Sequence, residues 1–212
     1  MTPQLNPVEA RVLGALIEKE MTTPEYYPMS VNALVNACNQ KSNRDPVVSY
    51  DEDTVQQALE GLREKRLAYV ITGREVRVPK YAHRISETWN LGTRELAVLQ
   101  VLLLRGPQTV GELKQRADRA HAFDDLESVE FCLKRLMEWT PEPLAMKVAR
   151  TAGTREPRYA HLLCGEVMEE AAVEEPPPRL DRFAALEAEV AALREKVMEL
   201  QRALENFRRQ FE

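Results

Sequence analysis

Three histidines and three cysteines are scattered over 212 residues, and none stands at a spacing from which catalysis or metal binding could be built. Cys38, Cys132 and Cys164 form no C-x-x-C pair, whereas a zinc site draws its ligands from closely spaced pairs. His83 and His161 end the same short phrase, Pro79-Lys80-Tyr81-Ala82-His83 and Pro157-Arg158-Tyr159-Ala160-His161, which points to one structural role used twice; His121 stands alone. Among 8 glycines there is no phosphate-cradling G-x-x-x-x-G-K-[ST] or G-x-G-x-x-G, and no nucleophile elbow. The expectation is a protein that is not an enzyme and carries no metal or cofactor. What remains for chemistry is charge. Gln40, Lys41, Asn43 and Arg44 in one polar loop, Arg74, Arg77 and Lys80 on one hairpin, and Arg150 and Arg155 on a second are candidates to meet phosphate oxygens; Lys114, Arg116, Arg119 and Arg158 are further cations. Each could equally be a solvated surface charge, the commoner fate of a lone Lys or Arg.

The elements that must position these residues come in two copies. Besides the His-ended phrase, Leu5–Leu13 returns as Leu91–Leu99, Ser30–Leu34 as Thr109–Leu113 and Thr54–Leu59 as Ser128–Leu133, all in the same order. A unit of about 80 residues is too long for a solenoid repeat and suits a small domain. In the first copy Asn6 caps a helix, Pro7 takes its first position, and Val8, Val12, Leu13, Leu16 and Ile17 recur at helical spacing. Pro24 and Pro28 stop it, and Ser30 caps a short second helix. The loop Asn39 to Tyr50 leads to a third helix with Val55, Leu59 and Leu62 on one face, and Thr72-Gly73-Arg74-Glu75 joins strands over Leu67 to Ile71 and Val76 to Val78. In the second copy Thr93, Thr109 and Asp125 are the expected caps, with strands over Leu144 to Arg150 and Arg158 to Leu163. The fold class this predicts is mainly α with small β-hairpins: two tandem winged-helix domains, residues 1–89 and 90–165, each folding alone.

Residues 166–179 form an acidic linker ending in Pro176-Pro177-Pro178, and residues 180–212 predict a helix. There Phe183, Leu186, Val190, Leu193, Val197, Leu200, Leu204 and Phe207 alternate in steps of three and four, the seam of a coiled coil that makes a homodimer. The alternative is one long helix folded back on its own domain. The formal charge of -5 resides in this tail: residues 1–89 hold 11 Lys+Arg and 12 Asp+Glu, residues 90–165 hold 11 and 10, and residues 166–212 hold 7 and 12. No apolar run reaches membrane-spanning length and no signal core opens the chain, so a cytoplasmic protein with free thiols and no membrane contact is expected.

Pro7–Leu13, Asn36–Pro46 and Leu103–Thr109 resemble the bacterial YceH family over roughly residues 4–164. The resemblance implies tandem winged helices in a bacterial cytoplasm, with no defined activity or ligand. A looser, architectural likeness is to the chromosome-segregation accessory subunit ScpB, a tandem winged helix that works as a protein scaffold, and fold does not fix function.

A winged helix commonly lays its third helix in the major groove while the wing touches phosphate. Here the third helices open with Asp51-Glu52-Asp53 and with Asp124-Asp125-Leu126-Glu127, which suits the helix dipole and repels a phosphate backbone. The functional expectation is therefore a dimeric DNA-binding or regulatory protein that grips backbone. Its alternative is a scaffold that binds another protein and no DNA. The loop from Gln40 to Arg44 is the strongest site candidate, because a dozen irregular residues inside a compact domain need a reason; a capped connection from Asn39 to Asp51 is the plainer one.

Overall fold

A computed structural model describes residues 3–73, 76–148 and 156–165, together with residue 194 and residues 196–198 of the tail. Residues 1–169 make one compact unit and residues 170–212 another. Among the described residues the first unit is mainly helical with two small antiparallel hairpins. Its first half runs α1 (Pro7–Thr22), a 3-10 turn (Pro24–Tyr26), α2 (Val31–Cys38), α3 (Glu52–Glu64), β1 (Ala68–Gly73), β2 (Val76–His83) and the short α4 (Ile85–Trp89). The second half repeats this order with α5 (Thr93–Arg105), α6 (Val110–Ala117), α7 (Leu126–Met137), β3 (Ala145–Val148) and β4 (Arg158–His161). In register, Ala68 faces His83 in the first hairpin and Ala145 faces His161 in the second, so the repeated histidine closes both ladders.

Local chemistry starts the helices where polar caps stand. Asn6 accepts from the Glu9 amide at 2.9 Å while Glu9 accepts from the Asn6 amide at 2.8 Å, a reciprocal pair that Thr109 and Glu112 form again on α6. Ser30, Asp51 and Asp125 cap α2, α3 and α7. Thr93 does not cap α5: Gly92 is the N-cap and Thr93 is already helical, without a side-chain capping bond. The other departure is α4, too short to show a helical period, which buries Ile85 and Trp89.

The first helix of each half is buried on every side, over Glu9–Ile17 in α1 and over Glu95–Leu104 in α5. A helix apolar and covered all round belongs in the centre of a core, and these two pack on each other. Gly14 sets how closely: a Cβ there would stand 2.9 Å from Leu103 Cβ and 3.0 Å from the Leu104 side chain. Trp89 and Trp139 add a second seam, with rings 6.0 Å apart and the Trp139 indole N–H donating to Trp89 O at 2.8 Å. One continuous cluster of buried residues runs from Leu5 to Leu163. Buried contacts are thus continuous across the two halves.

Charged groups are buried where each half needs them. Glu9 at the start of α1 pairs with Lys65 past the end of α3, and its counterpart Glu95 on α5 accepts from Arg135 of α7 at 2.7 Å. The cysteines behave as apolar residues, since burial pushes the Cys38 thiol up to about 12 and Cys132 to about 11, leaving no thiolate at neutral pH. No helix among the described residues is long and apolar enough to cross a membrane.

Candidate polyanion-binding cleft

The polar loop between α2 and α3 is pinned at both ends and in the middle. Asn39 donates to Tyr50 O at 2.7 Å and accepts from the Tyr50 amide at 2.8 Å, which closes the loop at its base. Asp45 N donates to Leu104 O on α5 at 2.9 Å, and the buried Arg11 guanidinium of α1 donates to Pro46 O at 2.6 Å. The plain capped-connection reading is thus correct for the base of the loop. Its tip, Gln40 to Asn43, stays exposed or half-buried, with Asn43 in the left-handed region at φ 58.

Arg44 is a correction. Its residue is 5% exposed, and its guanidinium forks onto Glu18 at 3.1 and 2.6 Å while donating to Ala37 O at 3.0 Å and to Asn43 O at 2.8 Å. It staples the loop to α1 and is out of reach of any phosphate. Burial works to raise the Glu18 carboxyl, but the hydrogen bonds and charge of Arg44 outweigh it and hold the group below the ordinary carboxylate range.

Beside that staple opens a cleft of about 770 Å³ between the halves. Lys19, Thr22 and Thr23 from the end of α1, the tip Gln40–Asn43, Gln100 and Arg105 from α5, and Gln115, Arg116 and Arg119 from α6 and just beyond it line it. Five cations therefore face one carboxylate, Glu18, which Arg44 and Lys19 already engage at 2.6 and 3.4 Å. Arg105 donates to Asn43 Oδ1 at 2.9 Å, so the second half supports the tip of a first-half loop, while its Nε is buried with no partner. Burial first, and then the like charge of Arg116, pull Arg105 below its ordinary value. Arg116 has a weak partner in Glu112 at 3.4 Å; among the described residues Lys41 and Arg119 have none. Crowded cations and an unpaired donor give this cleft an electrostatic environment that favours an anion over a cation.

The structure brings Gln40, Lys41 and Asn43 together here. Arg77 and Lys80 lie exposed on β2 and do not line the cleft. Arg74, Arg150 and Arg155 lie outside the described residues, as do all the proposed dimer residues but Val197, which is exposed on a helical stretch of the tail. Two further cations are engaged locally: Lys114 donates to Asp124 O at 2.7 Å, and Arg158 pairs with Glu112 at 3.1 Å. Sequence reasoning missed Lys19 and Arg105. The signal was present, since they occupy equivalent positions in the two repeats, displaced by the same 86 residues as Leu5 and Leu91, near the ends of the two central helices. At the acidic openings, Asp51 accepts from the Thr54 amide at 2.9 Å and Asp125 from the Ser128 amide at 2.7 Å, so these two carboxylates serve their own helices. Among the described residues no group of three or more His, Cys, Asp or Glu side chains could hold a metal ion.

A sequence-family model described as "Protein of unknown function, DUF480" matches residues 5–154, a span that contains every cleft residue and ends before β4. The chain belongs to the DUF480 family. Similar DUF480 proteins include a "UPF0502 protein" of Solibacter usitatus, 56% identical over 209 residues that cover 99% of this chain and 98% of the relative. One of Pelobacter propionicus is 54% identical over 217 residues, with 98% of each chain covered. One of Geotalea uraniireducens is 51% identical over 221 residues and matches from end to end. The likeness to these bacterial relatives extends beyond the family model into the acidic linker and tail.

Proposed function

We propose that the protein is a pair of tandem winged helices that binds double-stranded DNA chiefly through its phosphate backbone, as a homodimer joined by its tail, in a regulatory role. Three helices and a hairpin in each half support the winged-helix reading. The observation that carries the DNA reading is the cleft: cations from four separate segments converge there although the duplicated body is neutral overall. Phosphates spaced along a backbone are the natural partner for such a line of donors, and the acidic starts of α3 and α7 disfavour deep groove entry.

Duplex affinity, followed by fluorescence anisotropy, should fall steeply with salt and depend little on sequence. Lys41→Ala with Arg119→Ala, both outside any ion pair, should weaken all duplexes alike and lower the log–log salt slope by about two. Absence of binding at low salt rejects the reading; tight binding to one sequence, lost in Gln56→Ala or Gln57→Ala on the exposed face of α3, would restore groove recognition. Removal of residues 179–212 should leave a folded monomer by light scattering, and a truncated dimer would move the interface to the helices of the body.

One observation favours the scaffold as second reading. On α7, Leu126 and Phe131 are 49% and 61% exposed beside Glu127 and Glu130, an apolar and acidic face that suits a protein partner better than phosphate.

A further inference from the structure

His83 and His161 close equivalent hairpins, but their surroundings differ. In the first half His83 Nδ1 accepts from the Ile85 amide at 3.3 Å, and Nε2, which makes no aligned hydrogen bond, lies 2.7 Å from Glu20 Oε2. Glu20 belongs to α1, directly after Lys19, and the position that answers it after Arg105 on α5 is Gly106. The second half therefore offers no carboxylate from this position. His161 Nδ1 is buried with no hydrogen-bond partner, and burial pushes the imidazole down to about 4. Gly106, at φ +67, adopts a backbone conformation that side chains rarely tolerate, and nothing lies within 4 Å of where its Cβ would be.

A pocket of about 300 Å³ occupies this place, lined by Arg11, Leu102, Leu103, Gly106, Pro107 and His161 among others. That is the lower end of the size range for small-molecule sites. Its walls are mostly apolar, yet they contain a cation with no counter-charge. Arg11 is 4% exposed and donates to Cys38 O at 3.2 Å and to Pro46 O at 2.6 Å, bonds that use two of its five N–H donors and do not cancel its charge. Among the described residues no carboxylate pairs with it; Asp45, exposed on the rim, acts on it only from farther away. A buried unpaired cation is costly, and the cost is relieved by an anion supplied from outside.

We propose that this pocket binds a small monocarboxylic acid with an apolar body, whose carboxylate accepts from the unpartnered Nδ1 of His161, with Arg11 supplying the charge. The neutral imidazole donates one N–H, the guanidinium donates the rest, and Leu102, Leu103 and Pro107 cover the hydrocarbon. The site is separate from the cleft and stands whether or not the cleft holds DNA.

The test titrates the nitrogen-15-labelled full chain with benzoate and, separately, with its uncharged isostere benzamide, without nucleic acid. Benzoate is expected to shift the amide signals of Gly106, His161 and Gly165 saturably in the millimolar range, with benzamide at least about tenfold weaker. His161→Gln, with its fold checked by the spread of the same spectrum, should weaken benzoate by about tenfold. Where that variant does not fold, the wild-type comparison decides alone. Equal binding of benzoate and benzamide, or no shift at these three signals, overturns the proposal.

Discussion

Arg44 and Lys41 stand three residues apart in one polar loop, yet one is sealed against Glu18 and the other faces water. The difference is a matter of reach: Glu18 sits near the end of α1 under the loop, and only Arg44 is placed to fork onto it. Replacing Arg44 leaves the Ala37 carbonyl without its side-chain donor and a largely buried carboxylate with only the longer Lys19 contact at 3.4 Å. Arg44→Met should therefore cost about 3–5 kcal/mol in urea unfolding, and adding Glu18→Leu should recover much of it. The same pair predicts an acid limb. Because the folded-state Glu18 carboxyl lies below its ordinary value of 4.5, its contribution is complete above that pH and is lost as pH falls through the lower folded value. Stability measured from pH 6 downward should thus fall less steeply in Glu18→Gln than in the wild type, and equal slopes would show that the ion pair carries no linkage.

At the scale of elements, the seam between α1 and α5 decides how the duplicated halves meet. Gly14 lets the Leu103 and Leu104 side chains approach the α1 backbone, and the equivalent position on α5 is Gln100, so the repeat is broken where the helices touch. A side chain at 14 must displace packed leucines. Gly14→Val should cost about 1–3 kcal/mol, read as a lowered midpoint in thermal unfolding, while leaving the exposed cleft residues chemically intact. A variant as stable as the wild type would mean that the seam is looser than its geometry. The hairpins, by contrast, are held locally, with Met29 bridging Tyr81 and Gln108 bridging Tyr159 through paired backbone hydrogen bonds.

For the whole molecule, buried contacts continuous across the halves predict that half a chain is an incomplete fold. Residues 1–89 alone would expose the face of α1 that α5 covers, so circular dichroism of that fragment should show no cooperative unfolding, and mixing it with residues 90–212 should restore the transition. A cooperative transition in the isolated fragment would make the halves independent after all. What the sequence determined by itself was local and periodic. Caps at Asn6, Ser30, Thr109 and Asp125, the helix faces, the two hairpins and the duplication all follow from near-neighbour chemistry, which a linear pattern records. The candidate site was half legible: the loop tip at Lys41 and the α6 cations at Arg116 and Arg119 were visible as charges, but nothing in their spacing said they share a cleft. Tertiary structure decided that Arg44 is a staple, that Lys19 and Arg105 join the cleft, and that His161 lacks the carboxylate His83 has. Burial and charge pairing depend on residues far apart in the chain, 26 positions for Arg44 and Glu18 and 62 for Arg105 and Asn43, and a one-dimensional pattern holds no record of which distant side chain arrives.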